Sequence, residues 1–391
     1  MIFNTEEGRR NPFPLYDKMR RHSPVLAVPE ADLWMIFDYE SAKRALHDHE
    51  TFSSRAAPSG GRPLDWLIFS DPTRHTKLRA LVSMAFTPRS VANLEGRIRE
   101  LSRGLLDQVV DRGEMDLAAD FSVQLPILVI AEMLGIPVAD RHRFKQWSDV
   151  ILNLSYAVTG GEAGARSRQA FGAASVEMND YLAGLLSERR ATPKDDLLTR
   201  LVAARIEGEE LTQAEILGFF QLLLLAGSET TTNLINNGML SLMENPDQLE
   251  RLRADPGLLP SAIEEMLRFR SPVQAVFRAT RREVETHGQR IPAGKLVLVV
   301  VGSANRDPGM FGDPDRFDIA RDPNPHLAFG VGIHFCIGAP LARLEARIAF
   351  SDLLERLKGF RRASDAPWPP RQGLHVHGPS SLPILFEPGP R

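Results

Sequence analysis

Apolar residues recur at three- and four-residue spacing along most of this chain, which is the pattern of helices with one buried face. Asn11-Pro12 reads as a cap followed by a first-turn proline. "VLAV" and "LWMIF" then read as two short strands before Asp38 caps a further helix. Asp71-Pro72 opens a helix running to about Phe86, and Pro88 starts the next. "AAPSGGRPLDW", Ala56 to Trp66, is rich in glycine and proline and reads as a loop. Thr212 and Glu215 have capping-box spacing and open a helix that runs to Asn245-Pro246, long enough to cross the molecule. Ser261 to Phe269 forms another helix, ended by Ser271-Pro272. The period then changes. "QAVFRAT", "REVETHGQRI" and "KLVLVVV" read as strands, with turns at His287-Gly288 and Ala293-Gly294. "APWPPR" and "EPGPR" are proline-rich connectors. The sum is a mainly α chain with a small β region.

Composition narrows the classes of function. Of 391 residues, 43% are hydrophobic and 25% charged, and the formal net charge is -3, so no strongly basic face argues for nucleic acid. The single cysteine rules out an intrachain disulfide and fits a reducing compartment. The first residues carry acidic groups and lack an apolar stretch of signal-peptide length. The strongest apolar run, Leu217 to Gly227, is interrupted by Gln221 and is too short to span a bilayer. The expectation is a cytoplasmic protein with no membrane anchor.

The lone cysteine, Cys336, lies in "FGVGIHFCIG". Beyond it Leu341, Leu344, Ile348 and the Leu353-Leu354 pair make one apolar helix face, and Pro340 suits the first turn. Free amides and the helix dipole at that start favour an anion, and thiol pKa values fall at such places. Gly330, Gly332 and Gly338 allow the backbone close to a flat object. A lone cysteine is ordinarily a small buried hydrophobe. Flanking glycines, a histidine two residues earlier and a helix start are poorly explained by packing, and a structural zinc site would want more cysteines or histidines nearby.

The stretch resembles the cytochrome P-450 family: Phe329, Gly330, Gly332, His334, Cys336 and Gly338 match its haem-binding pattern. The resemblance implies haem b with Cys336 as thiolate ligand to the iron and His334 reaching a propionate. Three further stretches match. "EEMLR" holds Glu265 and Arg268 in Glu-x-x-Arg spacing, which the family buries and joins to a downstream arginine; Arg316 in "DPDRF" is the candidate, with Asp315 departing from the more usual glutamate. "AGSETT" resembles the family's oxygen-side motif. It implies Ala226 and Gly227 beside the cofactor, Gly227 leaving room for dioxygen, Thr230 holding a hydrogen bond next to the reacting oxygen, and Glu229 relaying protons. Its serine and threonines are also able to back-bond to helix carbonyls and bend the helix. "HTKLR" places His75 and Arg79 on one helix face, and the resemblance makes them propionate ligands together with Arg278 and His334.

The four stretches come in the family's order and imply a single domain over 1–391, strand-rich near 25–37, 276–301 and 373–386, with haem between a long distal helix and the cysteine-bearing proximal helix. The implied reaction inserts one oxygen atom of dioxygen into a hydrophobic small molecule, by hydroxylation or epoxidation. One cysteine cannot hold an iron–sulfur cluster, so electrons are expected from a ferredoxin and its NAD(P)H-dependent reductase. Arg343, Arg347 and Lys77 are candidates for a basic docking patch or, equally, are solvated helix charges. The expected substrate wall comprises Phe69, Leu152, Leu223, Val276 and Leu382, on stretches 56–69, 150–171, 222–230 and 273–277 and the turn at Ser380-Ser381. Three rivals remain: a peroxide-using haem-thiolate enzyme, a non-catalytic haem-binding protein on the same fold, and a cysteine hydrolase without haem, which would need a histidine base in reach.

Overall fold

A computed structural model describes residues 5–56, 66–83, 86–156, 161–206, 208–373 and 375–390. Its axis is the helix Gln213–Glu244, 32 residues long, or about 48 Å at the α-helical rise. Thr212 starts it with the anticipated reciprocal cap: its Oγ1 accepts from the Glu215 amide at 3.2 Å, and its own amide donates to Glu215 Oε2 at 3.0 Å. Asn245, before Pro246, ends it. Between those ends the helix is packed on several sides, against Gln124–Met133, Arg141–Tyr156, Leu259–Phe269 and Ala339–Arg356. At Gly238 three helices converge: a Cβ there would stand 2.4 Å from Phe350 Cζ and 2.6 Å from Met266 Sδ. Only glycine admits that approach. One large apolar core surrounds this helix, and two smaller ones lie under the main sheet.

That sheet has five strands in the order Val25–Val28, Leu33–Ile36, Leu296–Val299, Val276–Thr280, Phe52–Ser53. The first two pair antiparallel, Val25 opposite Ile36. Leu33 then faces Leu296 in a parallel pairing, and Leu296–Val299 runs antiparallel to Val276–Thr280. The expected turn at His287-Gly288 joins Val284–Thr286 to Gln289–Ile291, with both turn residues at positive φ. A three-stranded sheet of Leu357–Arg362, Pro383–Pro388 and Glu114–Asp116 carries a strand, Leu357–Arg362, that the sequence pattern hides, because it follows the Ala339–Arg356 helix without a break.

The helix expected from Asp71-Pro72 to Phe86 is observed at Arg74–Ser83. Asp71 caps nothing. Its carboxylate accepts from Ser53 Oγ at 2.5 Å, the Ser54 amide at 3.0 Å and Arg281 at 2.5 Å, tying this segment to the sheet edge. Among the described residues no helix is long and apolar enough to cross a membrane.

Candidate functional site

The long helix, the sheet and the cysteine loop enclose an apolar cavity of about 320 Å³. Cys336, Phe329, Gly330, His334, Gly338, Arg79, Arg278, Ala226, Gly227 and Thr230 all border it. The cysteine loop is held by its own backbone: the Cys336 amide donates to the Phe329 carbonyl at 2.8 Å, and Gly330 N donates to the Leu327 carbonyl at 2.8 Å. Gly330 and Gly332 adopt φ of 68° and 73°, conformations that L side chains resist. At Gly332 a Cβ would also lie 3.1 Å from His47 Cα. Ala339–Arg356 begins just after, with Pro340 in its first turn.

The thiol is pushed up, against the sequence expectation. Burial in the cavity wall outweighs the amides of Gly338 and Ala339 and the charge of Arg79, which act the other way. A bound cation on Sγ would remove the proton outright.

Opposite charge is wanted at one edge of the cavity. The rings of His75 and His334 lie 4.3 Å apart. Both Nε2 atoms are buried and without a hydrogen-bond partner among the described residues. Burial, with Arg79 adding to it, lowers His75 to about 4; burial, then Arg278 and His75, lowers His334 to about 3. Burial also lowers Arg278 to about 10, and its guanidinium donates to the Phe277 carbonyl at 2.8 Å. Arg79 donates to the Phe335 carbonyl at 2.6 Å. Four donors thus gather, with the Asp71 carboxylate acting on three of them from its own bonds to Ser53, Ser54 and Arg281, and two further carboxylates would satisfy them with charge-assisted bonds. The residues therefore fit a haem, with its propionates at His75, Arg79, Arg278 and His334 and its iron at Cys336.

On the long-helix side Thr230 borders the cavity and donates its hydroxyl proton to the Ala226 carbonyl at 2.6 Å. Ser228 bonds the Leu224 carbonyl in the same way and meets Ser148 Oγ at 2.8 Å. Despite these back-bonds the helix remains α-helical throughout. Glu229 is buried and outside the cavity lining. Gly227 borders the cavity, as does Ala226, and it also answers the approach of the Gln124–Met133 helix, since a Cβ there would meet Ile130 Cδ1 at 2.3 Å.

The ion pair at the base is fully buried. Arg268 grips Glu265 through Nε at 2.7 Å and Nη2 at 2.8 Å, and Glu265 also accepts from the Asp318 amide at 2.9 Å. The third charged partner is Arg321, at 3.2 Å from Glu265, and not Arg316. The turn at 313–316 aims the Arg316 carbonyl inward, where it accepts from Arg268 at 3.1 Å and from Arg321 at 3.2 Å, while the residue itself is exposed.

Leu223 and Val276 line the cavity. Phe69 and Leu382 do not. Phe69 stacks on Trp66 with centroids 6.0 Å apart, leaving Leu67 and Ile68 to face the space. Leu382 is 1% exposed and sits in the core beside Glu114–Asp116, its amide held by Asp116 at 2.9 Å. The Leu152 side chain and residues 57–65 and 157–160 lie outside the described residues. Two wall residues come from a helix that the sequence reading left out, Ile130 and Met133. Glu345 was also missed: it is buried at the cavity margin, and burial pushes it up to about 8. Its signal was available, since Glu345 falls between Leu341, Leu344 and Ile348 on the apolar face. Arg343 and Arg347 are not free cations. Arg343 clasps Glu264 with two bonds of 2.7 Å, and Arg347 reaches Glu95 at 3.0 Å.

Comparison with known proteins agrees with this geometry. The family Cytochrome P450 matches residues 161–256 and 257–379. The putative cytochrome P450 YjiB of Bacillus subtilis is 42% identical over 361 residues, covering 91% of this chain and 90% of the relative. Vitamin D(3) 25-hydroxylase of Pseudonocardia autotrophica is 41% identical, covering 88% of this chain and 86% of the relative. Among solved structures, CYP109E1 from Bacillus megaterium in complex with corticosterone superposes with a TM-score of 0.89 at 40% identity, covering 97% of this chain and 99% of that one.

Proposed function

Because the chain belongs to the cytochrome P450 family, and is a haem b-binding monooxygenase acting on small hydrophobic molecules with electrons from an external redox partner, we propose that it oxygenates a compound of sterol-like size and apolarity and draws its electrons from a ferredoxin and ferredoxin reductase, in the cytoplasm. One observation carries the substrate reading: the cavity is walled by Leu67, Ile68, Phe86, Phe219, Leu223 and Val276, while its charged donors gather where the propionates would lie. Such a wall selects by shape and apolar area. Relatives that hydroxylate vitamin D(3) or bind corticosterone have ligands of that kind.

Haem, held through Cys336, supplies the activation of dioxygen. The chain's own residues do the rest. His75, Arg79, Arg278 and His334 would hold the propionates of the haem. The apolar wall excludes water and orients the C–H bond to be attacked. Thr230 spends its proton on the Ala226 carbonyl, so its lone pairs are free to accept a hydrogen bond from a water or acid beside the reacting oxygen. Glu229, one residue away and buried, is the carboxyl that passes protons to that position, a general acid–base task.

The test is reconstitution of the holoenzyme with a ferredoxin, its reductase and NAD(P)H under isotopically heavy dioxygen, with corticosterone as probe. One heavy oxygen in the product supports the reading. Turnover with peroxide alone and none with reductant and dioxygen would favour the peroxide-using alternative. A spectral shift of the haem with no oxygenated product under either regime would favour a binding protein.

A further inference from the structure

The helix after the cysteine loop carries a carboxyl where its apolar face meets the cavity. Leu341 and Ala342 stand four and three residues before Glu345, so the three share one face, and all three border the cavity. Glu345 is 2% exposed. Its Oε2 is buried and has no hydrogen-bond partner among the described residues. Asp352, about two turns further along the same helix, is treated differently. It is 0% exposed and receives Arg99 at 3.5 Å and Arg103 at 3.3 Å. The fold thus supplies cations to one buried carboxyl of this helix and leaves the other, the one at the cavity, without them.

The charges around Glu345 are committed elsewhere. On its own helix Arg343 and Arg347 are held by Glu264 and Glu95, and Arg356 pairs with Asp107 at 2.7 Å. Five elements pack against that helix. Pro88–Ala92 offers Arg89, which is exposed. Glu95–Asp107 turns Arg99 and Arg103 to Asp352, and Arg97 to Glu100 and Glu132. Leu259–Phe269 brings Glu264, clasped by Arg343, and Glu265, gripped by Arg268. On Leu357–Arg362, Lys358 and Arg361 are exposed and Arg362 donates to the Ala366 carbonyl. The long helix brings Glu229, which lies outside the cavity lining. Across the cavity Arg79 donates to the Phe335 carbonyl at 2.6 Å. Burial therefore acts on Glu345 unopposed and pushes it up to about 8. A carboxyl in such a place takes a proton rather than hold a charge.

We propose that Glu345 is a redox-linked acid: it keeps the wall of the haem cavity neutral, and in alkaline solution it takes up one proton as the haem takes up its electron. The inference rests on a haem held through Cys336 and goes beyond the reading of substrate and oxygen chemistry. The electron comes from the external redox partner and resides on the haem, which gains one negative charge. That charge acts through a dry, apolar wall and raises the affinity of Glu345 for a proton. The proton comes from solvent and forms the O–H bond of the carboxyl, so one electron and one proton enter together and the net charge of the site is unchanged. Below the value at which Glu345 ionises in the ferric protein, the carboxyl is protonated before and after reduction, and no proton is taken up. Above it, uptake accompanies reduction, and the midpoint potential falls as the pH rises.

The experiment is a spectroelectrochemical titration of the holoenzyme from about pH 6 to about pH 9.5, for the parent and for Glu345→Gln, with the infrared difference between ferric and ferrous protein recorded at the alkaline end. Glutamine keeps the shape of the side chain and removes its proton. The parent is expected to show a potential that is level in acid and falls in alkali, with a slope approaching one proton per electron. Reduction should also raise a protonated-carboxyl C=O band that shifts in heavy water. In Glu345→Gln the potential should be level throughout and the band absent. Where Glu345→Gln takes up no haem, the infrared band of the parent decides: its appearance supports the proposal and its absence overturns it. A level potential in the parent overturns the proposal, and so does a slope that survives in Glu345→Gln. The reduced, carbon monoxide-bound spectrum is recorded alongside. A parent lacking the thiolate band counts against Cys336, whereas a level potential with that band present counts against Glu345 alone.

Discussion

At the scale of single residues, Thr230 and His377 show how a side chain's partners decide its task. Thr230 has committed its proton to the helix, so what it offers the cavity is an acceptor. Thr230→Ala removes that acceptor and keeps the helix. The expected outcome is dioxygen consumption near the parent rate with most electrons leaving as hydrogen peroxide, read as product formed per NAD(P)H; an unchanged yield would contradict the assignment. His377 is buried against the Arg10 carbonyl. Burial, reinforced by Arg270 and Arg306, lowers its pKa from 6.5 to about 3. The fold therefore binds the neutral ring, while the unfolded chain takes up a proton near 6.5. Its contribution to stability is complete above that value and is lost as the pH falls from 6.5 towards 3. At 1.36 kcal/mol per pH unit, going down to about pH 5 costs about 2 kcal/mol from this group. His377→Gln should flatten that part of the pH profile, measured by urea unfolding at about pH 7.5 and about pH 5.

At the scale of elements, the Leu259–Phe269 helix and the loop after it are held by a buried charge cluster. Glu265 and Arg268 are both 0% exposed and share their remaining valences with Arg321, three carbonyls, an amide and Asn324. Taking one partner from such a pair strands the other, at about 3–5 kcal/mol. Arg268→Ala is expected to lower the urea midpoint by a corresponding amount and to yield protein with little haem; haem content and stability equal to the parent would contradict the structural role. Sequence alone located this pair but named the wrong third arginine. Arg316 and Arg321 are both downstream, and the choice depends on which way a turn at positive φ, Asp313, aims its carbonyls. The same limit explains Phe69 and Leu382. An apolar residue near a cavity either faces it or faces the core, and one residue of phase separates the two. Motif residues were legible because their chemistry is distinctive: a sole thiol among glycines, and two histidines with two arginines for two carboxylates. Glu345, Ile130 and Met133 carry no such mark and were missed.

At the scale of the whole molecule, the long helix joins the functions: the oxygen side and the part of the cavity wall at Phe219, Leu222 and Leu223 are segments of Gln213–Glu244. The expected docking patch for an electron donor is on the Ala339–Arg356 helix. Arg343 and Arg347 are tied to Glu264 and Glu95, so the patch there is less basic than its arginines alone suggest. Reversing both arginines to glutamate turns two ion pairs into like-charge contacts and removes the attraction for an acidic donor. The half-saturating ferredoxin concentration should rise, most at low ionic strength, with the substrate-induced spectral shift unchanged; no rise would show that the donor docks elsewhere.

The proposed chemistry requires Cys336 to hold the haem iron as a thiolate. The most direct measurement is the absorption spectrum of the reduced, carbon monoxide-bound protein for the parent and for Cys336→Ser. The expected result is the long-wavelength band of a thiolate-ligated haem in the parent and its loss in Cys336→Ser. The same band persisting in Cys336→Ser, or a parent that takes up no haem, would contradict it.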